Sequence, residues 1–142
     1  MVSDAKRPSK VTPTLLAVLL CDAGVTDRAT QKKTLVGLFA AINTIAFPVI
    51  RPVTFYMRVT DGEGYYPLRV EFWNAAADEV LGTANGEVTL PDRHAIGEVL
   101  FDFPPLPFER PGVYEFRIFM SDMYIGAATL RVINLQAGEQ DG

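Results

Sequence analysis

The last third of the chain constrains the fold more than any other segment. Pro111-Gly112 is a strand breaker, and in residues 113–120 every second residue is a large apolar one. A short polar break at Ser121-Asp122 leads into another strand-like run that ends at Leu135. Two such runs around a short break predict a β-hairpin, and hence an antiparallel β fold. The apolar residues that share one face of the first run are Tyr114, Phe116, Ile118 and Met120.

A period of two residues recurs over residues 53–60 and 66–73. Turn signals at a spacing of about 8–12 residues, with almost no helical periodicity, are typical of a two-sheet sandwich or a closed barrel. We predict an all-β fold, an antiparallel two-sheet β-sandwich of immunoglobulin-like or jelly-roll-like type with about 8–9 strands. Tyr114 follows a Pro-Gly turn, so it is either a tyrosine corner bonded to upstream backbone or a simple core tyrosine.

Other segments divide into strand-sized pieces. Residues 34–42 fit a helix or a buried strand, and Gly37 with its β-branched neighbours favours the strand. A polar loop is expected over residues 22–33 because it shows no periodicity. Short strands are expected at residues 79–83, 87–90 and 98–103, with a Pro-rich bend at 104–107.

Length and composition indicate one globular domain. The 142 residues are 49% hydrophobic and 21% charged, which is ordinary for a chain with a single core. We assign residues 13–135 to a single β-sandwich domain. The polar residues 1–12 are expected to form a flexible N-terminal arm, and residues 136–142 a flexible acidic tail, because neither can bury apolar surface.

Charge and cysteine content argue against several functional classes. The net charge of −4, with scattered basic residues, disfavours nucleic acid as a partner. The single Cys21 permits no intrachain disulfide, and the single His94 lies far away in a polar turn, so we expect neither a Cys–His nucleophile nor a zinc site. No motif for a cofactor or for catalysis is present. We therefore predict that the protein is not an enzyme and binds no cofactor.

The N-terminal segment has two interpretations. Lys6, Arg7 and Lys10 precede the apolar run Thr14–Cys21, TLLAVLLC, an order that resembles a signal peptide or a lipoprotein cleavage site. The run is short, however, and Pro13 and Asp22 bound it as they would bound a strand. We favour a buried first strand and a cytoplasmic protein. The run is also far too short to span a membrane, so no membrane partner is expected.

Acidic residues occur in several expected turns. Carboxylates from loops at one end of a sandwich can form a calcium site, and paired carboxylates can act as acid and base. Turn carboxylates more often bond to backbone or lie in solvent, and that interpretation is favoured here. These residues are Asp22, Asp27, Asp61, Glu63, Asp78 and Asp122.

Several apolar and turn motifs resemble a family of small bacterial proteins known only as a domain of unknown function. They are Leu19-Leu20-Cys21-Asp22, the stretch from Thr34 to Phe39, Ile45-Ala46-Phe47-Pro48 and the alternating run from Val53. The resemblance covers roughly residues 14–135, with the segment Asp22–Lys33 and the tail outside its pattern. It implies a cytoplasmic β-sandwich and transfers no catalytic residue.

The one functional constellation in the sequence combines aromatic residues with arginine on the faces opposite the core. Such a composition is typical of interface centres. We predict a non-catalytic protein-interaction or assembly module of a bacterial cytoplasmic system, which binds a protein partner or its own copy. The alternative is a small-ligand or carbohydrate-binding sandwich with an aromatic platform. The candidate binding residues are Tyr56, Arg58, Arg69, Trp73, Arg117 and Phe119.

Overall fold

The computed structural model describes residues 7–136, which form two β-sheets packed face to face. One sheet has four strands in the order β2-β1-β4-β7, and the other has five in the order β3-β9-β8-β5-β6. The predicted antiparallel two-sheet β-sandwich is confirmed, with a single parallel pair, β3 with β9, among the described strands. The strands are β1 (Thr14–Thr26), β2 (Lys33–Leu38), β3 (Ala41–Thr44), β4 (Val49–Thr60), β5 (Gly64–Asn74), β6 (Glu79–Leu90), β7 (Gly97–Phe108), β8 (Gly112–Met120) and β9 (Met123–Asn134).

The core lies between the sheets, where the period-two patterns place it. On β5 and β8 every second residue is buried, and the residues between them are half-exposed. Because alternate side chains of a strand point to opposite faces, this pattern gives the five-stranded sheet one apolar face, which packs against the four-stranded sheet. Among the largest fully buried side chains are Phe55, Met57, Tyr66, Phe72, Phe116 and Ile118.

The C-terminal hairpin is confirmed as β8 and β9. Its two turn residues, Ser121 and Asp122, have φ values of 50° and 63°, as a two-residue turn with the twist of a hairpin requires. Tyr114 is 2% exposed, and its hydroxyl donates a hydrogen bond to the carbonyl of Arg110 at 2.7 Å. It therefore forms the tyrosine-corner arrangement, which fixes the loop that enters β8.

Several strand boundaries differ from the sequence interpretation. The expected polar loop at residues 22–33 is partly strand, because β1 continues to Thr26 and pairs with β2. The buried strand expected at 34–42 is also wrong, since β2 is an edge strand with Leu38 58% exposed, and the chain then changes sheets to form β3. The Pro-rich segment 104–107 is not a bend but the end of β7, which tolerates proline because it is an edge strand.

The N-terminal arm is attached to β5 over its described part. Ser9 donates its backbone N–H to the carbonyl of Tyr65 at 2.7 Å, and the buried Tyr66 hydroxyl donates to the carbonyl of Val11 at 2.6 Å. These bonds join residues 9–11, which belong to the segment 1–12 expected to be a flexible arm, to β5. Residues 1–6 and 137–142, which include almost all of the expected acidic tail, lie outside the described residues.

Candidate binding face on the five-stranded sheet

The two central strands of the five-stranded sheet present three cross-strand rows of large side chains on the outer face. The antiparallel register of β5 and β8 fixes these rows, because residues opposite each other on one face are close neighbours. We call this surface the aromatic–arginine face. Its rows are Arg69 with Phe119, Glu71 with Arg117, and Trp73 with Glu115.

One arginine is stacked on the indole ring. The guanidinium carbon of Arg117 lies 3.9 Å from the centroid of Trp73, well inside the range of a cation–π contact. Glu115 accepts a hydrogen bond from Nε of the same guanidinium at 2.9 Å, and its Oε1 lies 2.8 Å from NH2 in an ion pair. Arg117 is thus held from one side by a ring and from another by a carboxylate.

The second arginine is held in the same way. The guanidinium carbon of Arg69 lies 4.4 Å from the Phe119 ring centroid, and Glu71 accepts a hydrogen bond from its Nε at 2.9 Å. Asp122 in the β8–β9 turn accepts a bond from NH1, and this bond is the main cause that raises the pKa of the Arg69 guanidinium. Both guanidinium groups are therefore held in position by a ring and by carboxylates.

Glu71 links the two stacks into one network. Its Oε2 accepts the bond from Arg69, while its Oε1 accepts a bond from the indole Nε1 of Trp73 at 3.0 Å. Each carboxylate of the three rows is therefore occupied by donors from the same face.

The residues that flank the rows differ in size, since Tyr124 on β9 lies opposite Phe119 with ring centroids 5.5 Å apart. Ala127 lies opposite Arg117 on β9, and Thr83 lies opposite Glu71 on β6. All six side chains of the rows are partly exposed.

Two candidate residues, Tyr56 and Arg58, lie elsewhere. Both belong to β4 in the four-stranded sheet, so the single contact face expected from the sequence is divided between two sheets. Tyr56 is only 7% exposed and donates a hydrogen bond to Glu98, whereas the side chain of Arg58 is 45% exposed. Burial, together with the bond to Glu98, raises the pKa of Tyr56 to about 12.

Tyr56 is buried although it points away from the core, and its cross-strand partner Leu100 on β7 is approached by β1. The far end of β1 approaches β7, since a Cβ built on Gly24 would lie 2.7 Å from a methyl of Leu100. Alternation in the sequence shows correctly on which side of β4 Tyr56 lies, but it does not show that Tyr56 is buried there.

The remaining chemically notable residues of the described part of the chain are a cysteine and several turn carboxylates. Cys21 is fully buried, and burial raises the pKa of its thiol, so the nucleophilic thiolate is disfavoured. Two of the turn carboxylates accept hydrogen bonds from nearby side chains, Asp27 from Thr30 and Asp61 from Arg93. Within residues 7–136, no group of three or more His, Cys, Asp or Glu is placed to hold a metal ion.

Two cavities lie on the open side of the sandwich, between edge strands β6 and β7. One of about 320 Å³ has walls that include Phe72, Leu81 and Leu106. The other, of about 280 Å³, has walls that include Ala84, Val99 and Phe101. Sequence reasoning missed both, although alternating small residues at 82, 84 and 86 would have indicated unfilled space beside a strand.

Comparisons with known proteins identify a family but not an activity. The model of a family of unknown function, DUF6941, matches residues 16–133, which confirms the resemblance and extends it through the segment Asp22–Lys33. No curated protein matches the sequence. Among solved structures the chain is similar to a β-glucosidase from Listeria innocua in complex with glucose, with 10% identity and a TM-score of 0.44, over 87% of this chain and 16% of that one. None of the helical segments within residues 7–136 is long and apolar enough to cross a membrane.

Proposed function

The chain belongs to the family of unknown function DUF6941, and we propose that it is a non-catalytic protein-interaction module whose contact surface is the aromatic–arginine face. The observation that supports this most is the pair of arginine–aromatic stacks joined through Glu71. Tryptophan and arginine are the residues that most often dominate binding energy at interface centres. The proposal keeps Arg69, Trp73, Arg117 and Phe119 as contact residues.

Preorganisation strengthens the case for this face. A free arginine loses about 1.5–2 kcal/mol of side-chain entropy when a partner immobilises it. Both arginines here are already held by a ring and by carboxylates, so much of this side-chain entropy is lost on folding and not on binding. Such a surface can bind a rigid partner without rearrangement.

The charges of the face favour a second copy of the chain as the partner. The three rows contain Arg69 and Arg117 against Glu71 and Glu115, which balance. In a two-fold contact each patch meets its own copy, so a patch of one sign would repel itself, whereas a balanced patch can place arginine opposite glutamate. We therefore propose self-association through this face.

The alternative is a small-ligand or carbohydrate-binding sandwich. Trp73 is a poor platform for a sugar because the guanidinium of Arg117 already occupies one face of its ring. The cavity of about 320 Å³ beside Phe72 and Tyr114 is the observation that favours this alternative, since pockets of about 300 Å³ or more can hold small molecules. Its rim carries Glu109 and Arg110.

The proposal also covers the topology of the sandwich and the cellular compartment. We infer an immunoglobulin-like rather than a jelly-roll topology, because β1-β4-β7 and β9-β8-β5-β6 follow the order of strands A-B-E and G-F-C-C′, with the tyrosine corner at the start of β8. We also propose a bacterial cytoplasmic setting, which the use of Thr14–Cys21 as part of β1 supports.

The test is the association of purified parent, Trp73→Ala and Phe119→Ala proteins, measured by light scattering after gel filtration. Truncation of a central interface residue typically costs at least about 2 kcal/mol, roughly thirtyfold in affinity. Arg58→Ala is the matched control, because Arg58 is exposed on the other sheet and should associate as the parent does. Far-UV circular dichroism checks that each variant folds. If both variants fold and associate as the parent does, this face is not the interface.

A further inference from the structure

The cavity of about 320 Å³ lies at the end of the sandwich where β5 turns into β6 and β7 turns into β8. Its apolar walls include Phe72 and Tyr114, which are 1% and 2% exposed, together with Leu81 and Leu106. The cavity therefore reaches the hydrophobic core, and its volume is that of a site for a small molecule.

A β-bulge in β6 shapes one wall of this cavity. Phe72 pairs with Gly82 and Trp73 pairs with Val80, so Leu81 is an extra residue between the two pairs. Leu81 lines the cavity, and a Cβ added at Gly82 would meet nothing within 4 Å. Strand β6 thus contributes an apolar side chain to the wall and leaves open space beside it. Bulges often redirect a side chain next to a functional site.

The two turns that border the cavity are held by hydrogen bonds. In the β5–β6 turn, Oδ1 of Asn74 accepts the backbone N–H of Ala77 at 3.2 Å. The tyrosine-corner bond of Tyr114 holds the β7–β8 turn. The backbone N–H of Ala75 donates to the carbonyl of Val113 at 3.0 Å and joins the two turns. A ligand therefore meets a formed site, and little of its binding free energy is spent on ordering loops.

Charged side chains of both signs line the cavity beside its apolar walls. They are Glu79, Glu109 and Arg110, all of which are exposed. Glu79 is on the cavity side of β6 because it pairs with Asn74, two residues after the inward-facing Phe72. Within residues 7–136, none of the three charged side chains forms a hydrogen bond or an ion pair. Two carboxylates and one guanidinium are thus available to a ligand.

We propose that this cavity binds a small zwitterion with an apolar body, the chemical class of free apolar and aromatic α-amino acids. Arg110 pairs with the ligand carboxylate, for which a guanidinium has the matching planar geometry, and the glutamates pair with its ammonium group. Leu81 and Leu106 contact its apolar body. A neutral molecule would leave these charges unused, and a ligand of one sign would meet a like charge. This goes beyond the proposed function, because the cavity lies between the sheets and not on the outer aromatic–arginine face.

The probe is L-phenylalanine, compared with phenethylamine, which lacks the carboxylate, and 3-phenylpropionate, which lacks the ammonium group. NMR titration of the backbone amides of the full chain gives both the affinity and the location of binding. We expect phenylalanine to bind with a dissociation constant of about 2 mM or less, as is usual for a ligand of about twelve non-hydrogen atoms. The other two compounds should bind at least about tenfold more weakly, because each lacks one charged contact. The amides that shift should be those around Leu81, Leu106 and Arg110.

Arg110→Gln tests the contact with the ligand carboxylate. Tyr114 bonds to the backbone carbonyl of residue 110, so this substitution keeps the tyrosine corner. It should weaken the binding of phenylalanine by about tenfold and should not weaken that of phenethylamine, which has no carboxylate to lose a partner. Arg131→Gln is the matched control, because Arg131 is exposed on β9 away from the cavity and the variant should bind phenylalanine as the parent does.

The comparison of the three compounds keeps the test decisive even if Arg110→Gln fails to fold. Binding of phenethylamine or 3-phenylpropionate as tight as that of phenylalanine overturns the proposal, since one charge would then be irrelevant. Equal weakening of phenylalanine and phenethylamine by Arg110→Gln, or amide shifts away from the cavity, also overturns it. So does the absence of binding at about 10 mM phenylalanine, a concentration well above the expected dissociation constant.

Discussion

The stack of Arg117 on Trp73 should give a measurable coupling free energy, because the proposed binding face depends on its being fixed. A cation–π contact is worth about 0.5–1 kcal/mol when exposed and about 2 kcal/mol when desolvated. The side chain of Arg117 keeps 25% of its exposure, and its guanidinium lies 3.9 Å from the ring centroid. We therefore expect a coupling of about 1 kcal/mol.

The assay is a double-mutant cycle with Trp73→Leu, Arg117→Met and the combined variant, measured by urea unfolding. Circular dichroism is the signal, because the cycle removes the single tryptophan of the chain. Arg117→Met leaves Glu115 without its ion pair whether or not Trp73 is present, so this cost in unfolding free energy cancels in the cycle. A coupling within about 0.3 kcal/mol of zero would refute the reasoning, since distant, independent residues add to within about that margin.

Four further outcomes follow from the structure. Tyr114→Phe removes the hydrogen bond to the Arg110 carbonyl and should lower the free energy of unfolding by about 1 kcal/mol in urea denaturation. The pKa of Tyr56 is raised to about 12 in the folded protein. Its contribution to the free energy of unfolding is therefore complete below its unfolded pKa near 10 and is lost as pH rises through 12. In an absorbance titration of the tyrosines, Tyr56→Phe should remove the last step. Gly86→Ala should stabilise the protein by about 0.5–1 kcal/mol in thermal unfolding. Gly97→Ala should destabilise it, because the new Cβ would lie 2.9 Å from Leu90.

The sequence predicts the parts of the fold that depend on local periodicity. The alternation in β4, β5 and β8 assigned the inward faces correctly, and the Pro-Gly turn before Tyr114 left two alternatives, of which the structure shows the tyrosine corner. Local periodicity failed to predict strand boundaries that depend on pairing with neighbouring strands. β6 was divided into two short strands because its central residues are small, yet pairing with β5 keeps it continuous.

The candidate site was predictable only in part, for a related reason. A period of two tells on which face of a strand Arg117 or Trp73 lies, but not which strands are neighbours. The stack between them depends on the register of β5 and β8, which lie 38 positions or more apart in the chain and are set by core packing. Tyr56 shows the same limit, since alternation placed it outward but could not reveal that it belongs to the other sheet.

The most direct test of the proposed interface is the accessibility of Trp73, the single tryptophan, as the protein associates. Acrylamide quenching of its fluorescence is measured across a concentration series, together with molecular mass from light scattering. We predict that the mass rises from the 15.6 kDa of one chain towards twice that value, and that quenching falls in parallel as the ring is covered. A mass that stays at 15.6 kDa throughout, or one that rises while quenching is unchanged, would contradict the account.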